Sequence, residues 1–310
     1  MTDRVGQVRG RESASSVERR GRDSAREIRA LISLLADDDS RIIAMVWENL
    51  LRLGAVALPY LTEAGEDSDP RLRIRARHIR QRIHLEQMER RFRRLASRRG
   101  GGFDLEMGLS LVARIEYPDL DRRLIATQLD ELADGVRPQL PIEASPQERI
   151  RILSRYLFDD VGFRGNRENY YDPDNSFINK VLERRRGIPI SLAAITILVG
   201  RRVGLPLYAV GFPKHFLVKY QDAATEIFFD PFHGGRILSP GECTQILASE
   251  GYYVRERFIA EYLAIASPRE LIIRMLRNLI LIYSKVRDKR KVRRLIRYVE
   301  VLRTRPRARR

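Results

Sequence analysis

Cysteine is almost absent from this sequence, which has 310 residues and a single cysteine, Cys243. One cysteine can form neither an internal disulfide nor a cysteine-rich zinc cluster, which fits a reducing compartment. Unbroken apolar runs of the ~18 residues that a membrane helix needs are also missing. The first residues are charged and have no apolar segment, unlike a secretory signal. We therefore expect a soluble, cytoplasmic protein with no membrane span, and no motif calls for a metal or a cofactor.

Acidic residues are too few to balance the basic ones, with 41 Asp or Glu against 58 Lys or Arg and a net charge of +17. Residues 71–100 hold twelve Arg and two Glu, and residues 271–310 hold fifteen Lys or Arg, one Asp and one Glu. Such segments attract phosphates, acidic lipid head groups or acidic proteins, or they form an ordinary solvated face. Neither has the interleaved aromatic residues that stack on bases. A protein or peptide is therefore the expected partner, and nucleic acid bound through these two segments is the alternative.

Residues 23–99 have a helical pattern, after a charged lead-in at residues 1–22 that we expect to be disordered. The motif Asp-x-Asp-x-Arg occurs at residues 37–41 and again at residues 67–71, a period of 30 residues. A period of this size is typical of stacked helix pairs and predicts HEAT-like helical repeats. An ordinary helical bundle is the alternative.

A glycine-rich segment at residues 98–103 is a predicted linker, and a second domain is predicted over residues 103–265. Its predicted helices cover 105–117, 120–135, 147–158 and 189–203, and its predicted strands cover 205–211, 215–220 and 225–230. The helix that starts near Pro189 is apolar on nearly every side and should be buried. This order of helices and a small antiparallel sheet predicts an α+β fold.

The last two predicted strands form a hairpin across residues 221–224. In the predicted register Lys219 lies opposite Glu226 and His215 lies opposite Asp230. A carboxylate that accepts the histidine N–H fixes the tautomer of the ring and raises its basicity. A nucleophile that completed the set would lie at the N-terminus of the buried helix, where the helix dipole favours an anion.

Four phrases of the second domain resemble the bacterial SirB-type transglutaminase-like proteins. They are LEMGLSLVARIEYPDLD (105–121), FRGNRENYYDPDNSFINKVLERRRGIPISL (163–192), GLPLYAVGFPKHFLVKY (204–220) and DPFHGGRILSPGEC (230–243). The resemblance spans about residues 103–300 and implies a transglutaminase-like, papain-like core. It also implies that the helix pair at 266–304 is tetratricopeptide-like, ahead of a basic tail at 305–310. The HEAT-like front lies outside the resemblance.

The resemblance implies that His215 and Asp230 take the positions of the transglutaminase-type His and Asp. Active members have a cysteine at the start of the buried helix, where this chain has Pro189 and Ser191. A serine hydroxyl is a much weaker nucleophile than a thiol unless a base activates it strongly. Cys243 lies after the hairpin, where we expect it to act as a small buried apolar residue.

A pocket beside the histidine and aspartate would be lined by the polar loop and by the histidine of the DPFHGG phrase. The expected lining residues are Asn166, Asn169, Tyr170, Tyr171 and His233. For the asparagines, turn and helix-cap chemistry is the ordinary alternative.

The missing thiol predicts a binding or adaptor protein, rather than an enzyme, with a cleft the size of a peptide or an acyl group. The alternative is a serine hydrolase or peptidase, with Ser191 as nucleophile, His215 as base and Asp230 as the residue that orients the base. A second alternative is a nucleic-acid-associated adaptor that uses the basic helices.

Overall fold

The structure, a computed structural model, describes residues 24–97, 102–249 and 261–304. The chain packs as two compact units, Met1–Met88 and Glu89–Arg310. The predicted lead-in, residues 98–101 of the predicted linker and the basic tail lie outside the described residues. The domain limits drawn from the sequence therefore stay predictions.

Apolar stripes of successive helices build the core of the first unit. These helices are α1 (24–33), α2 (Ser40–Leu53), α3 (Leu58–Ala64) and the front of α4 (Pro70–Ser97). Their stripes meet in one core, in which Leu35, Leu50, Leu61 and Ile79 are fully buried. Burial of these side chains is what stabilises the unit, since each contributes roughly 1.5–3 kcal/mol.

The repeated Asp-x-Asp-x-Arg motif forms the same turn twice. Asp37 accepts the N–H of Asp39, and Asp39 accepts the N–H of Arg41, each at 2.8 Å. The turn at residues 67–71 has the same two hydrogen bonds at the same distance. Asp39 thus caps α2, and its counterpart Asp69 comes directly before α4. The two turns are alike in structure, and the HEAT-like assignment stays a prediction.

By length and composition alone, the helical stretch Ser40–Ala64 could cross a membrane. The sequence did not predict this candidate, because charged residues interrupt its apolar run. Gly54, with a φ of +58°, breaks the stretch, and a short 3-10 turn covers Gly54–Ala57. Leu50 and Leu61, on either side of the break, are part of the core of the first unit.

The second unit is mainly helical, and one helix at its centre is buried on all sides. Its helices after α4 are α5 (Leu105–Ala113), α6 (Arg122–Val136), α7 (Pro146–Ser154), α8 (Ile178–Arg184), α9 (Pro189–Arg202), α10 (Pro240–Ser249), α11 (Pro268–Lys285) and α12 (Lys289–Arg303). Every residue of α9 from Pro189 to Gly200 is buried, as its apolar sequence predicts. A π-helical turn, Arg155–Asp160, extends α7.

The strands of the second unit are short. They are β1 (Arg164–Gly165), β2 (Arg186–Gly187), β3 (Leu207–Val210), β4 (Leu217–Gln221), β5 (Glu226–Asp230), β6 (Arg236–Leu238) and β7 (Ile265–Ala266). Five of them form an antiparallel sheet in the order β6-β5-β4-β3-β7, and β1 pairs with β2 in parallel. Helix α9 packs against β3 and β4. The predicted α+β fold class is confirmed.

The register of the β4–β5 hairpin differs from the predicted one by two residues. Lys219 lies opposite Phe228 instead of Glu226, and His215 precedes the strand instead of lying in it. The turn itself is the reason, because the Asp222 carboxylate binds the backbone N–H groups of residues 224 and 225 and moves the loop towards β5. A slip of two residues leaves every side chain on its predicted face.

The last two helices, α11 and α12, are attached to the body of the second unit. Helix α11 packs against α5, and Glu116 just after α5 forms ion pairs with Lys291 (2.7 Å) and Arg294 (3.0 Å) of α12. The rings of Phe92 and Tyr298 stack with their centres 4.7 Å apart. The tetratricopeptide-like assignment of this pair stays a prediction.

Replacement of Glu116 by glutamine tests this attachment. The side chains of Glu116, Lys291 and Arg294 are 21%, 31% and 22% exposed, so the loss of the carboxylate leaves two largely buried cations without their partner. We expect the free energy of unfolding, measured by urea denaturation, to fall by about 1–3 kcal/mol. The control is Glu131→Gln at an exposed position of α6, which should change it by less than about 0.5 kcal/mol. Equal losses in both variants would contradict the attachment.

Candidate functional site

His215 is held at the end of a tight turn between β3 and β4. Its N–H donates to the carbonyl of Phe212 (3.3 Å), and Lys214 beside it has a left-handed backbone with a φ of +53°. Arg274 of α11 donates hydrogen bonds to the carbonyl oxygens of Phe212 and of His215, the latter at 2.8 Å. Its guanidinium also lies 5.2 Å from the ring centre of Phe216. The turn that presents His215 is therefore fixed from α11.

Asp230 ends β5 and starts the turn that carries the second histidine. Its Oδ1 accepts the N–H of Phe232 (2.9 Å), which caps the 3-10 turn Pro231–His233. Gly234 and Gly235 follow with φ values of +71° and +74°, a conformation that suits glycine, and lead the chain away to β6. The turn brings His233 back to the carboxylate that precedes it.

His215, Asp230 and His233 form one cluster, here called the histidine–aspartate cluster. Nε2 of His215 and Nδ1 of His233 each lie 2.7 Å from the same oxygen, Oδ2 of Asp230. The centres of the two imidazoles are 5.7 Å apart. The Asp230 side chain is 3% exposed, that of His215 12% and that of His233 46%. The structure thus brings the predicted histidine and aspartate together and adds a histidine that faces solvent.

Asp230 is a carboxylate at any ordinary pH. Burial alone would raise its pKa, but the hydrogen bonds from His215 and His233 outweigh burial and hold the pKa of this carboxyl well below its usual range. Each ring gives one N–H to the carboxylate, so Nδ1 of His215 and Nε2 of His233 are left as acceptors when the rings are neutral. The cluster therefore presents two oriented imidazoles around a buried negative charge.

Ser191 lies at the start of α9, and its hydroxyl bonds to the backbone there rather than to the cluster. Its hydroxyl accepts the N–H of Ile188 and donates to the carbonyl of Ile188, both at 3.0 Å, and the residue is 3% exposed. A Cβ at Gly187 would lie 2.7 Å from this hydroxyl, so the chain packs closely around it. Among the described residues, no hydrogen bond joins Ser191 to His215.

Phe232 forms an aromatic wall beside the cluster. Its ring centre lies 6.0 Å from that of His215, 5.2 Å from that of His233 and 6.4 Å from that of Tyr170, each in an edge-to-face arrangement. A Cβ at Gly165 of β1 would lie 2.5 Å from the ring, so this position needs glycine. Phe232 thus gives the cluster an apolar neighbour that a ligand bound at the cluster would contact.

The polar loop is organised by a buried side chain, Asn175. Its Nδ2 donates to the carbonyls of Asn169 (2.7 Å) and Tyr170 (3.3 Å), and its Oδ1 accepts from Nδ2 of Asn166 (3.0 Å). The Asn166 side chain therefore holds the loop in shape, as the turn chemistry that was its alternative predicts, whereas Asn169 takes part through its backbone N–H and carbonyl.

Of the five predicted lining residues, the structure places two at the cluster. His233 belongs to it, and Tyr170 packs against Phe232. The ammonium group of Lys285 lies over the Tyr171 ring, 3.1 Å from the ring centre. The Tyr171 ring also packs edge-to-face on the Tyr170 ring, with the centres 5.4 Å apart, and its role as a lining residue stays a prediction.

Three residues of the site were not predicted: Phe232, Arg167 and Arg274. Phe232 stands between Asp230 and His233 in the DPFHGG phrase, so the phrase already contained the signal. Arg167 lies with its guanidinium 5.8 Å from the ring centre of Phe232. No sequence signal could have found Arg274, because its contact with His215 joins residues 59 positions apart.

Cys243, the only cysteine, is fully buried on α10 among apolar residues that include Leu217 and Phe228. Burial, with the charges of Glu242 and Asp230, raises the pKa of its thiol to about 11. At neutral pH the group is therefore a buried thiol and not a nucleophilic thiolate.

Three curated relatives each match part of this chain. A UPF0162 protein of Xylella fastidiosa is 40% identical over 176 residues, which are 56% of this chain and 63% of the relative. A UPF0162 protein of Vibrio cholerae is 37% identical over 93 residues, 30% of this chain and 34% of the relative. F-box only protein 21 of Mus musculus is 33% identical over 136 residues, 41% of this chain and 21% of the relative. The chain thus spans less than two thirds of the length of each, and no solved structure matches it.

The family described as the transglutaminase-like superfamily matches residues 123–277, which are half of the chain. The matched segment contains α9, the antiparallel sheet, the whole histidine–aspartate cluster and Arg274. This chain therefore belongs to the transglutaminase-like superfamily.

Proposed function

We propose that the chain is a binding protein of the transglutaminase-like superfamily that has no acyl-transfer activity and holds a peptide- or acyl-sized ligand at the histidine–aspartate cluster. One observation carries this proposal. The Ser191 hydroxyl at the start of α9, where active members have a thiol, accepts the N–H of Ile188 and donates to the carbonyl of Ile188. A hydroxyl used to start a helix is neither exposed to a substrate nor bonded to the base that would activate it.

The second support is the chemistry of the cluster. Two imidazoles bonded to one carboxylate keep their outer nitrogens as acceptors, which suit the amide N–H or ammonium groups of a peptide. His233 is the more exposed of the two and lies next to Phe232, so polar and apolar contacts are side by side. A mixed surface of this kind is typical of ligand sites, where a few polar groups orient a ligand held mainly by apolar contact.

We further propose that, within the superfamily, the chain is of the SirB type, with a HEAT-like front and a tetratricopeptide-like final helix pair. The quoted phrases and the repeated turns at residues 37–41 and 67–71 support this assignment. Both helical parts would then offer surfaces to a protein partner, in keeping with an adaptor.

Nucleic acid is the less favoured partner, because many cations of the two basic segments are committed within their own unit. The ion pairs are Arg71–Asp38, Arg77–Glu66 and Arg82–Glu86 in the first unit, and Arg93–Glu89, Arg297–Glu89, Lys291–Glu116 and Arg294–Glu116 in the second. A neighbouring carboxylate reduces the attraction of a cation for phosphate without removing it, because exposed ion pairs are weak. Exposed Arg290 and Arg293 have no ion-pair partner among the described residues and would be the first to contact an acidic partner.

Replacement of Ser191 by alanine separates the binding proposal from the serine hydrolase alternative. We expect the variant to lose about 1 kcal/mol of unfolding free energy, because the start of α9 loses its side-chain hydrogen bonds. A fluorophosphonate probe should label neither the native chain nor the variant, as followed by mass spectrometry. Labelling of the native chain that is absent from the Ser191→Ala variant would establish the hydrolase instead.

An array of short synthetic peptides tests the ligand class. We expect the full chain to bind a subset of peptides, and we expect His233→Ala to weaken that binding by about tenfold or more, because one imidazole acceptor at the centre of the site is lost. His78→Ala, at an exposed position of α4, is the matched control and should bind like the native chain. Binding that is equal in both variants would place the ligand elsewhere and refute the proposal.

A further inference from the structure

We propose that His215, Asp230 and His233 also form a binding site for a divalent transition-metal ion, with Zn²⁺ as the expected ion. Each residue offers one donor atom, and these atoms all lie within 4.8 Å of one another. Two imidazoles and one carboxylate are the donor set of zinc sites that keep a fourth position open. The inference does not rest on the proposed function: the metal-bound cluster is a second state of the same three side chains, in which the outer ring nitrogens carry protons.

The present separations need only a small adjustment. Each imidazole nitrogen lies 2.7 Å from Oδ2 of Asp230. A tetrahedral zinc ion with bonds of about 2.0–2.2 Å holds neighbouring donors about 3.4 Å apart. Each ring would therefore move back from Oδ2 by less than about 1 Å, and the two ring nitrogens, which lie within 4.8 Å of each other, would come to the same spacing. His233 is 46% exposed and lies directly before Gly234 and Gly235, so it has room to do so.

The convergence of both rings on one oxygen is the feature that favours a cation. A histidine–carboxylate pair that only orients a base needs one imidazole, whereas here two N–H groups point at the same buried anionic oxygen. A single ion can replace both hydrogen bonds if each ring carries its proton on the outer nitrogen, Nδ1 of His215 and Nε2 of His233.

The surroundings of Asp230 already resemble the outer shell of a metal site. Oδ1 of Asp230 is bonded to the N–H of Phe232, which orients the carboxylate and leaves Oδ2 for the ion. The Phe232 ring covers one side, and the exposed His233 leaves the other side open to water or a ligand.

The donor set also selects the class of ion. Imidazole nitrogen suits Zn²⁺ and its neighbours in the first transition row, whereas Mg²⁺ and Ca²⁺ prefer sites built wholly from oxygen. The cluster contains only one carboxylate, which is too few for a hard cation that needs six or more oxygen donors.

Calorimetric titration of the tag-free full chain, first freed of metal with a chelator, tests the site with Zn²⁺ alone and with Mg²⁺ alone. We expect one Zn²⁺ per chain and no binding of Mg²⁺. His215→Ala and His233→Ala should each weaken Zn²⁺ binding by about 10–100-fold, and His78→Ala should leave it unchanged. Circular dichroism of each variant confirms that it is folded, and His233, the most exposed member, is the position least needed for folding.

Failure of the native chain to bind Zn²⁺, equal affinity in His233→Ala, or Mg²⁺ binding as tight as Zn²⁺ binding would each overturn the metal site. The peptide array repeated in the presence of a chelator separates this inference from the proposed function. Peptide binding that persists without metal, in a chain that does not take up Zn²⁺, leaves the binding function intact and removes only the metal site.

Discussion

The site depends on a buried negative charge that must be satisfied locally, the carboxylate of Asp230. A buried charge costs several kcal/mol unless it is paired and hydrogen-bonded, and here three donors converge on it. Each donor also shapes a different part of the chain. His215 ties in the turn before β4, the N–H of Phe232 starts a 3-10 turn, and His233 closes that turn. The strand end, the turn and the loop are thus organised around one anion.

The fold of this chain does not by itself determine its chemistry. The chain belongs to the transglutaminase-like superfamily and has a buried helix, an antiparallel sheet and a histidine–carboxylate pair, and the Ser191 hydroxyl at the start of α9 is bonded to Ile188. A fold can host many activities, so membership alone does not identify the reaction. The cluster adds to that pair a second imidazole on the same carboxylate and a phenylalanine that Gly165 admits beside it.

The sequence predictions were most accurate where they rested on a pattern with a short period. The hairpin register was wrong by two residues, yet the residues of the two strands stayed on their predicted faces because side chains in a strand repeat every two residues. Helix α5 ends at Ala113 and a turn covers residues 114–116, so its end was placed too late, and Pro118 accounts only for the residue before it. Tertiary contacts were out of reach: Asn175 and Arg274 are ordinary polar residues in sequence, and only packing reveals what they hold.

The hydrogen bonds from Arg274 to the turn that carries His215 limit where the protein can be cut into fragments. A fragment cut at residue 265, where the sequence suggests that the core domain ends, would keep the histidine–aspartate cluster but lose the side chain that holds the carbonyls of Phe212 and His215. The catalytic-type fold and the final helices are therefore not separable modules. A segment that keeps this contact must run at least as far as Arg274 of α11.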